Sequence, residues 1–301
     1  MFSTNLTVAY LLLAAGSALG QLVRDALPAP EVRVPAEGAR VPLSLYGGRP
    51  VVEARVNGHG PYRFYFDTGA SGPVLAERLA RELNLPQVGQ AAVKSGGDAP
   101  GKRPIAARLV RLDNLELGAV RLAGVNLVAM DHGRLGGADA PGGVLSPALF
   151  PGMLVTLDFP KKELRVRPGE LGTPDDKTIF GYRAGLPIPS VRVTVGDLAV
   201  EAHLDSGSPA GLSLPTSFVE KLPLATKPVD NGKKARSVTG EFPVMEANLN
   251  GRLAFGRFSF VNPTIEFSDV VQHGNIGARI LKRFVITLDA KNRRFEMIEE
   301  G

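Results

Sequence analysis

Two short stretches of this chain end an apolar run in a carboxylate, a hydroxyl and a glycine: Phe66-Asp67-Thr68-Gly69 and Leu204-Asp205-Ser206-Gly207, 138 residues apart. One such tripeptide arises by chance in roughly one chain in ten of this size, and alone it reads as an ordinary turn. Two of them in matching contexts suggest a working pair. Metal-free amide hydrolysis needs a base to deprotonate water and an acid to protonate the carbonyl oxygen. Two carboxylates held a few ångströms apart supply both, because like charges that close share one proton. The titration then belongs to the pair, and the proton is assigned to neither Asp67 nor Asp205.

The neighbouring residues have mechanical jobs. Gly69 and Gly207 let the backbone turn sharply and approach its counterpart where a side chain would clash. Thr68 and Ser206 place a hydroxyl beside each carboxylate. The next position differs, since Ala70 has no donor whereas Ser208 can give a hydrogen bond to its carboxylate. A dyad short of one donor holds its shared proton to higher pH, so an activity optimum nearer neutrality is expected.

The elements that must place these loops come in duplicate. Val51–Val56 and Val191–Val195 alternate with a two-residue period, each followed by a glycine turn (Asn57-Gly58, Gly196-Asp197) and a second strand running into the aspartate. Each half thus predicts a hairpin that delivers a carboxylate at a strand end. Beyond the aspartates, Leu75–Leu83 reads as a short amphipathic helix ending near Asn84, with Pro215–Leu222 as its shorter counterpart. Leu115–Gly118 resembles Leu253–Gly256, and Val155–Asp158 matches Ile286–Asp289, each of the latter followed by a basic turn and a closing strand. Four matched blocks in one order argue for duplication of an all-β unit. The expected organisation is a signal peptide over 1–20, a Pro/Gly-rich linker or edge segment over 21–50, an N-terminal lobe over 51–170 and a C-terminal lobe over 180–301.

Composition narrows the class. The 301 residues carry a net charge of +5 spread along the chain, with 35 Gly and 24 Pro, as many short strands joined by turns would need. No basic run interleaves with aromatics, so no nucleic-acid partner is expected. The absence of Cys excludes thiol chemistry, disulfides, a cysteine zinc site and a lipidated cysteine. His59, His132 and His273 lack metal-ligand spacing, and neither metal nor cofactor is expected. His203 lies two residues before Asp205, on the same strand face, and reads as a wall residue equivalent to Tyr65. Asp158 and Asp289 read as turn acids. Leu6–Leu19 is almost wholly apolar and too short to span comfortably, so a signal cleaved before Gln21 and a periplasmic or secreted protein are expected. Met1–Asn5 holds no Lys or Arg, which keeps an uncleaved tether as the alternative.

With these residues in view, the chain from about Val51 to Met297 resembles the pepsin/retropepsin family of aspartic peptidases, in a secreted, bacterial, single-chain, two-lobed form. The resemblance implies a bilobal all-β double barrel, the dyad Asp67 and Asp205, and a polypeptide substrate bound extended by a monomer. It also implies two apolar residues and a glycine before a short helix later in each lobe. Gly142–Ser146 and Asn275-Ile276-Gly277 hold that place, with Ser146 where the family has Gly and Asn275 where an apolar residue is usual. Neither departure is expected to touch the aspartate loops. A flap over the cleft is expected at Ser95, Gly96 and Gly97, at Thr239 and Gly240, or at both. The alternative function is a catalytically silent pepsin-fold module that binds peptides or inhibits.

Overall fold

The computed structural model describes residues 28–93, 105–130, 140–183, 188–237 and 240–300. The first half contributes β1 (Glu31–Arg33), β2 (Ala39–Tyr46), β3 (Arg49–Val56), β4 (His59–Phe66), β5 (Val74–Ala76), β6 (Gln87–Val93), β7 (Ile105–Leu117), β8 (Val120–Met130), β9 (Gly143–Leu145), β10 (Met153–Asp158) and β11 (Glu163–Pro168). The second contributes β12 (Ile179–Gly181), β13 (Ser190–Val195), β14 (Leu198–Asp205), β15 (Leu212–Leu214), β16 (Val229–Ser237), β17 (Gly240–Asn248), β18 (Arg252–Phe255), β19 (Phe258–Val261), β20 (Thr264–Phe267), β21 (Gly274–Gly277), β22 (Phe284–Asp289) and β23 (Arg294–Glu299). Two short helices, α1 (Glu77–Glu82) and α2 (Ala278–Leu281), complete the framework. The protein is all-β.

Strand order shows the duplication directly. The first lobe runs β3-β4-β9-β5-β8-β7-β6 and the second β13-β14-β21-β15-β20-β17-β16, the same seven-strand path in each. In both, the strand leading to the aspartate pairs in parallel with a later strand: Phe66 sits opposite Leu145, and Asp205 opposite Gly277. Parallel neighbours must come from distant sequence, so each aspartate strand is wedged between its hairpin partner and a strand about 70 to 80 residues on. The tight turns the hairpins require are present, with Asn57 and Gly58 at φ +48° and +81° and Gly196 at +60°.

A six-stranded layer, β12-β23-β22-β10-β11-β2, joins the halves. At its centre β10 and β22 run antiparallel with Thr156 opposite Thr287, their hydroxyl oxygens 3.0 Å apart. Both strands are buried almost throughout, which is why Leu-Val-Thr-Leu-Asp and Val-Ile-Thr-Leu-Asp lack polar alternation. Asp158 and Asp289 close these strands as turn acids. Asp158 accepts the Lys161 N–H and pairs with Arg165, and Asp289 accepts N–H groups of Asn292 and Leu171.

Two local expectations are corrected. The stretch 21–50, expected as a linker or edge segment, supplies β1 and β2, and β2 lies between β3 and β11 with Val41 and Leu43 in the core. Its alternating Ala39, Val41 and Leu43 are the signal that its prolines and glycines obscured. The helix expected from Leu75 begins only at Glu77, because Val74–Ala76 pair with both β8 and β9. Asn84 does mark its end, with φ +48°. In the second lobe Pro215–Leu222 forms a 3₁₀ turn over Thr216–Lys221.

Candidate active site

Asp67 follows β4 and Asp205 ends β14, both half-buried, while Thr68 and Ser206 are buried completely. The two loops interlock. Thr68 Oγ1 donates to the Leu204 carbonyl at 2.6 Å and accepts the Ser206 N–H at 3.0 Å. Reciprocally, Ser206 Oγ donates to the Phe66 carbonyl at 2.7 Å and accepts the Thr68 N–H at 3.0 Å. Each hydroxyl spends its donor and an acceptor site on the opposite lobe's backbone, so neither loop can move alone.

This brace brings the carboxylates over each other's glycine. A Cβ built on Gly69 would lie 2.7 Å from Asp205 Cγ and 2.9 Å from its Oδ1. A Cβ on Gly207 would run into the Asp67 carboxylate, 2.8 Å from Oδ1. Only glycine leaves room for the two acids to converge. Asp67 Oδ1 also accepts its own loop's Gly69 N–H at 2.7 Å. Behind the loops, Phe66 packs on Phe150, and the Asp67 N–H donates to the Leu145 carbonyl.

Residues 52–147 match the family model described as aspartyl protease. That segment is similar to aspartyl proteases. It spans the first hairpin, the Asp67 loop and β9. No curated protein matches the chain.

The second half of the chain differs from the first in what surrounds its acid. Among the described residues Ser208 does not bond the Asp205 carboxylate as expected; its hydroxyl accepts the Ala210 N–H at 3.4 Å. Asn275, which was expected to stay clear of the aspartate loops, donates from Nδ2 to Asp205 Oδ2 at 2.7 Å. The parallel pairing of β14 with β21 sets His203 beside Asn275 and so brings the amide to the acid. Only that long-range register reveals the contact. Ser146, at the register position equivalent to Gly277, is buried with no partner for its Oγ among the described residues. Gly277 itself admits no Cβ, since one would collide with the Ala210 carbonyl.

His203 stands in register where Tyr65 stands in the first lobe. Its ring lies 5.6 Å from that of His273, and its Nδ1 is buried without a partner among the described residues. Burial, reinforced by His273 and opposed by Asp205, pushes its pKa down to about 4. A cavity of about 350 Å³ flanks the Asp67 loop, lined by Thr68, Ala70, Ser71, Asn126, Tyr182 and Pro189 among others. Neither aspartate lines it.

Of the flap positions, Ser95, Gly96 and Gly97 lie outside the described residues, between β6 and β7, and Thr239 lies outside them between β16 and β17. Gly240 opens β17, opposite Ser237. Residues 1–20 also lie outside the described residues. Among the described residues no helix is long and apolar enough to cross a membrane, and no group of three or more His, Asp or Glu is placed to hold a metal ion.

Proposed function

We propose that this protein is an aspartic endopeptidase in which Asp67 and Asp205 activate one water between them. The observation that carries the reading is the reciprocal brace through Thr68 and Ser206, with each carboxylate set over the opposite glycine. One carboxylate, ionised, takes the proton of the water as it attacks the scissile carbonyl. The other, protonated, gives its proton to the carbonyl oxygen; as the tetrahedral intermediate collapses, the first passes the proton it took from water to the leaving amine and the second recovers its proton from the intermediate's hydroxyl. No covalent intermediate forms. The brace matters because sub-ångström displacement of either acid costs rate steeply. An extended polypeptide is the substrate, the β6–β7 and β16–β17 hairpins cover it, and the chain is exported by its apolar N-terminal segment.

The test is hydrolysis of denatured casein between pH 3 and 7 by the wild type, Asp67→Asn and Asp205→Asn, with and without pepstatin. The reading requires cleavage by the wild type alone, blocked by the inhibitor. Equal cleavage by all three proteins removes it. Pepstatin binding without cleavage by any would favour the silent peptide-binding module.

A further inference from the structure

Beside each dyad aspartate, the residue two before it and that residue's parallel-strand neighbour are the lobe's equivalent pair. In the first lobe the pair is Tyr65 and Val144; in the second it is His203 and Asn275. The duplicated fold therefore tolerates an apolar residue at this place. Asn275 is only 9 % exposed, and a buried amide is costly unless both its ends are bonded. One end is: Nδ2 donates to Asp205 Oδ2 at 2.7 Å, within the charge-assisted range. The other is not, for Oδ1 is buried with no partner among the described residues. A side chain serving packing alone would leave no orphaned oxygen.

We propose that Asn275 is a positioning residue for Asp205. By tying Oδ2, it stops the carboxylate from turning about its Cβ–Cγ bond and leaves Oδ1 against the opposite loop, 2.9 Å from where a Gly69 Cβ would stand. It supplies in the second lobe the donor that Ser208 does not. The titratable groups around it are Asp205 and His203 on β14 and His273 just before β21. On β15 the residue in register is the uncharged Ser213, and Arg279 on α2 is ion-paired with Glu266 on β20. The proposal rests on the peptidase reading only for its kinetic consequence; the contact itself is testable without activity.

Two near-isosteric variants separate positioning from packing. Asn275→Leu removes the donor and the orphaned oxygen together. It should lower kcat about 10- to 100-fold, the value of a hydrogen bond to a charged group, with KM within about threefold. Because a donor favours the charged form, its loss should move the acid limb of the kcat/KM profile toward higher pH. The thermal midpoint should stay or rise. Asn275→Asp sets a second carboxyl against Asp205, and its activity relative to wild type should recover as pH falls, when a shared proton restores the donor. A wild-type profile in Asn275→Leu would overturn the proposal. So would equal losses in both variants at every pH with a lowered thermal midpoint. A thermal cycle of Asn275→Leu, Asp205→Ala and the double variant reads the contact directly: non-additive midpoints support it, and additive ones refute it. If the wild type cleaves nothing, the peptidase reading falls while this cycle still decides whether Asn275 holds Asp205.

Discussion

His203 gives this protein an acid limit that one substitution should lift. Its folded pKa lies near 4, against about 6.5 in an unfolded chain. A base whose pKa is depressed by folding stays neutral in the native state while the unfolded chain takes up a proton. Its stabilising contribution is therefore complete above about pH 7 and is lost as pH falls toward the folded value. With these two values the loss is about 1 kcal/mol at pH 6, about 2 at pH 5 and about 3 at pH 4. His203→Phe fills similar space and removes the ionisable ring along with its orphaned Nδ1. Thermal or guanidinium unfolding of both proteins at pH 7.5, 6, 5 and 4 measures the difference. The variant's advantage should grow as the pH falls, reaching about 6–12 °C in midpoint at pH 4 on the usual scaling for chains of 150–250 residues. Titrating groups that do not couple to His203, all but His273 and Asp205, are common to both proteins and cancel. Parallel stability curves would refute the reasoning and place His203 in solvent contact throughout.

Three further expectations follow from the interlock and the central layer. Thr68→Val leaves the Leu204 carbonyl and the Ser206 N–H buried and unpaired, and should cost about 2–5 kcal/mol by chemical denaturation, together with most of the activity. Gly207→Ala drives a methyl group into the Asp67 carboxylate; the fold should survive, and kcat should fall by at least about 100-fold in a steady-state assay. Thr156→Val or Thr287→Val alone strands the partner hydroxyl in the buried layer and should cost about 1–2 kcal/mol. The Thr156→Val/Thr287→Val pair should be less destabilised than either single variant, which equilibrium unfolding of all four proteins would show.

The local pattern of the chain by itself determined the hairpins, the strand ends that carry Asp67 and Asp205, the turn acids Asp158 and Asp289, and the repetition of these blocks. Each depends on a period of two or on a turn residue within a few positions. Where neighbours in space are distant in sequence, the same residues were ambiguous. Ala39, Val41 and Leu43 became a central strand because β3 and β11 flank them, although prolines and glycines around them read as linker. Leu75 and Ala76 fit a helix by periodicity and were drawn into a strand by β8 and β9. Asn275 was an anomaly in an apolar slot until the parallel register of β14 and β21 set its amide on a carboxylate 70 residues away. Side-chain chemistry and turn geometry are written residue by residue. Which carboxylate meets which glycine or amide is decided by strand pairings that no local window contains.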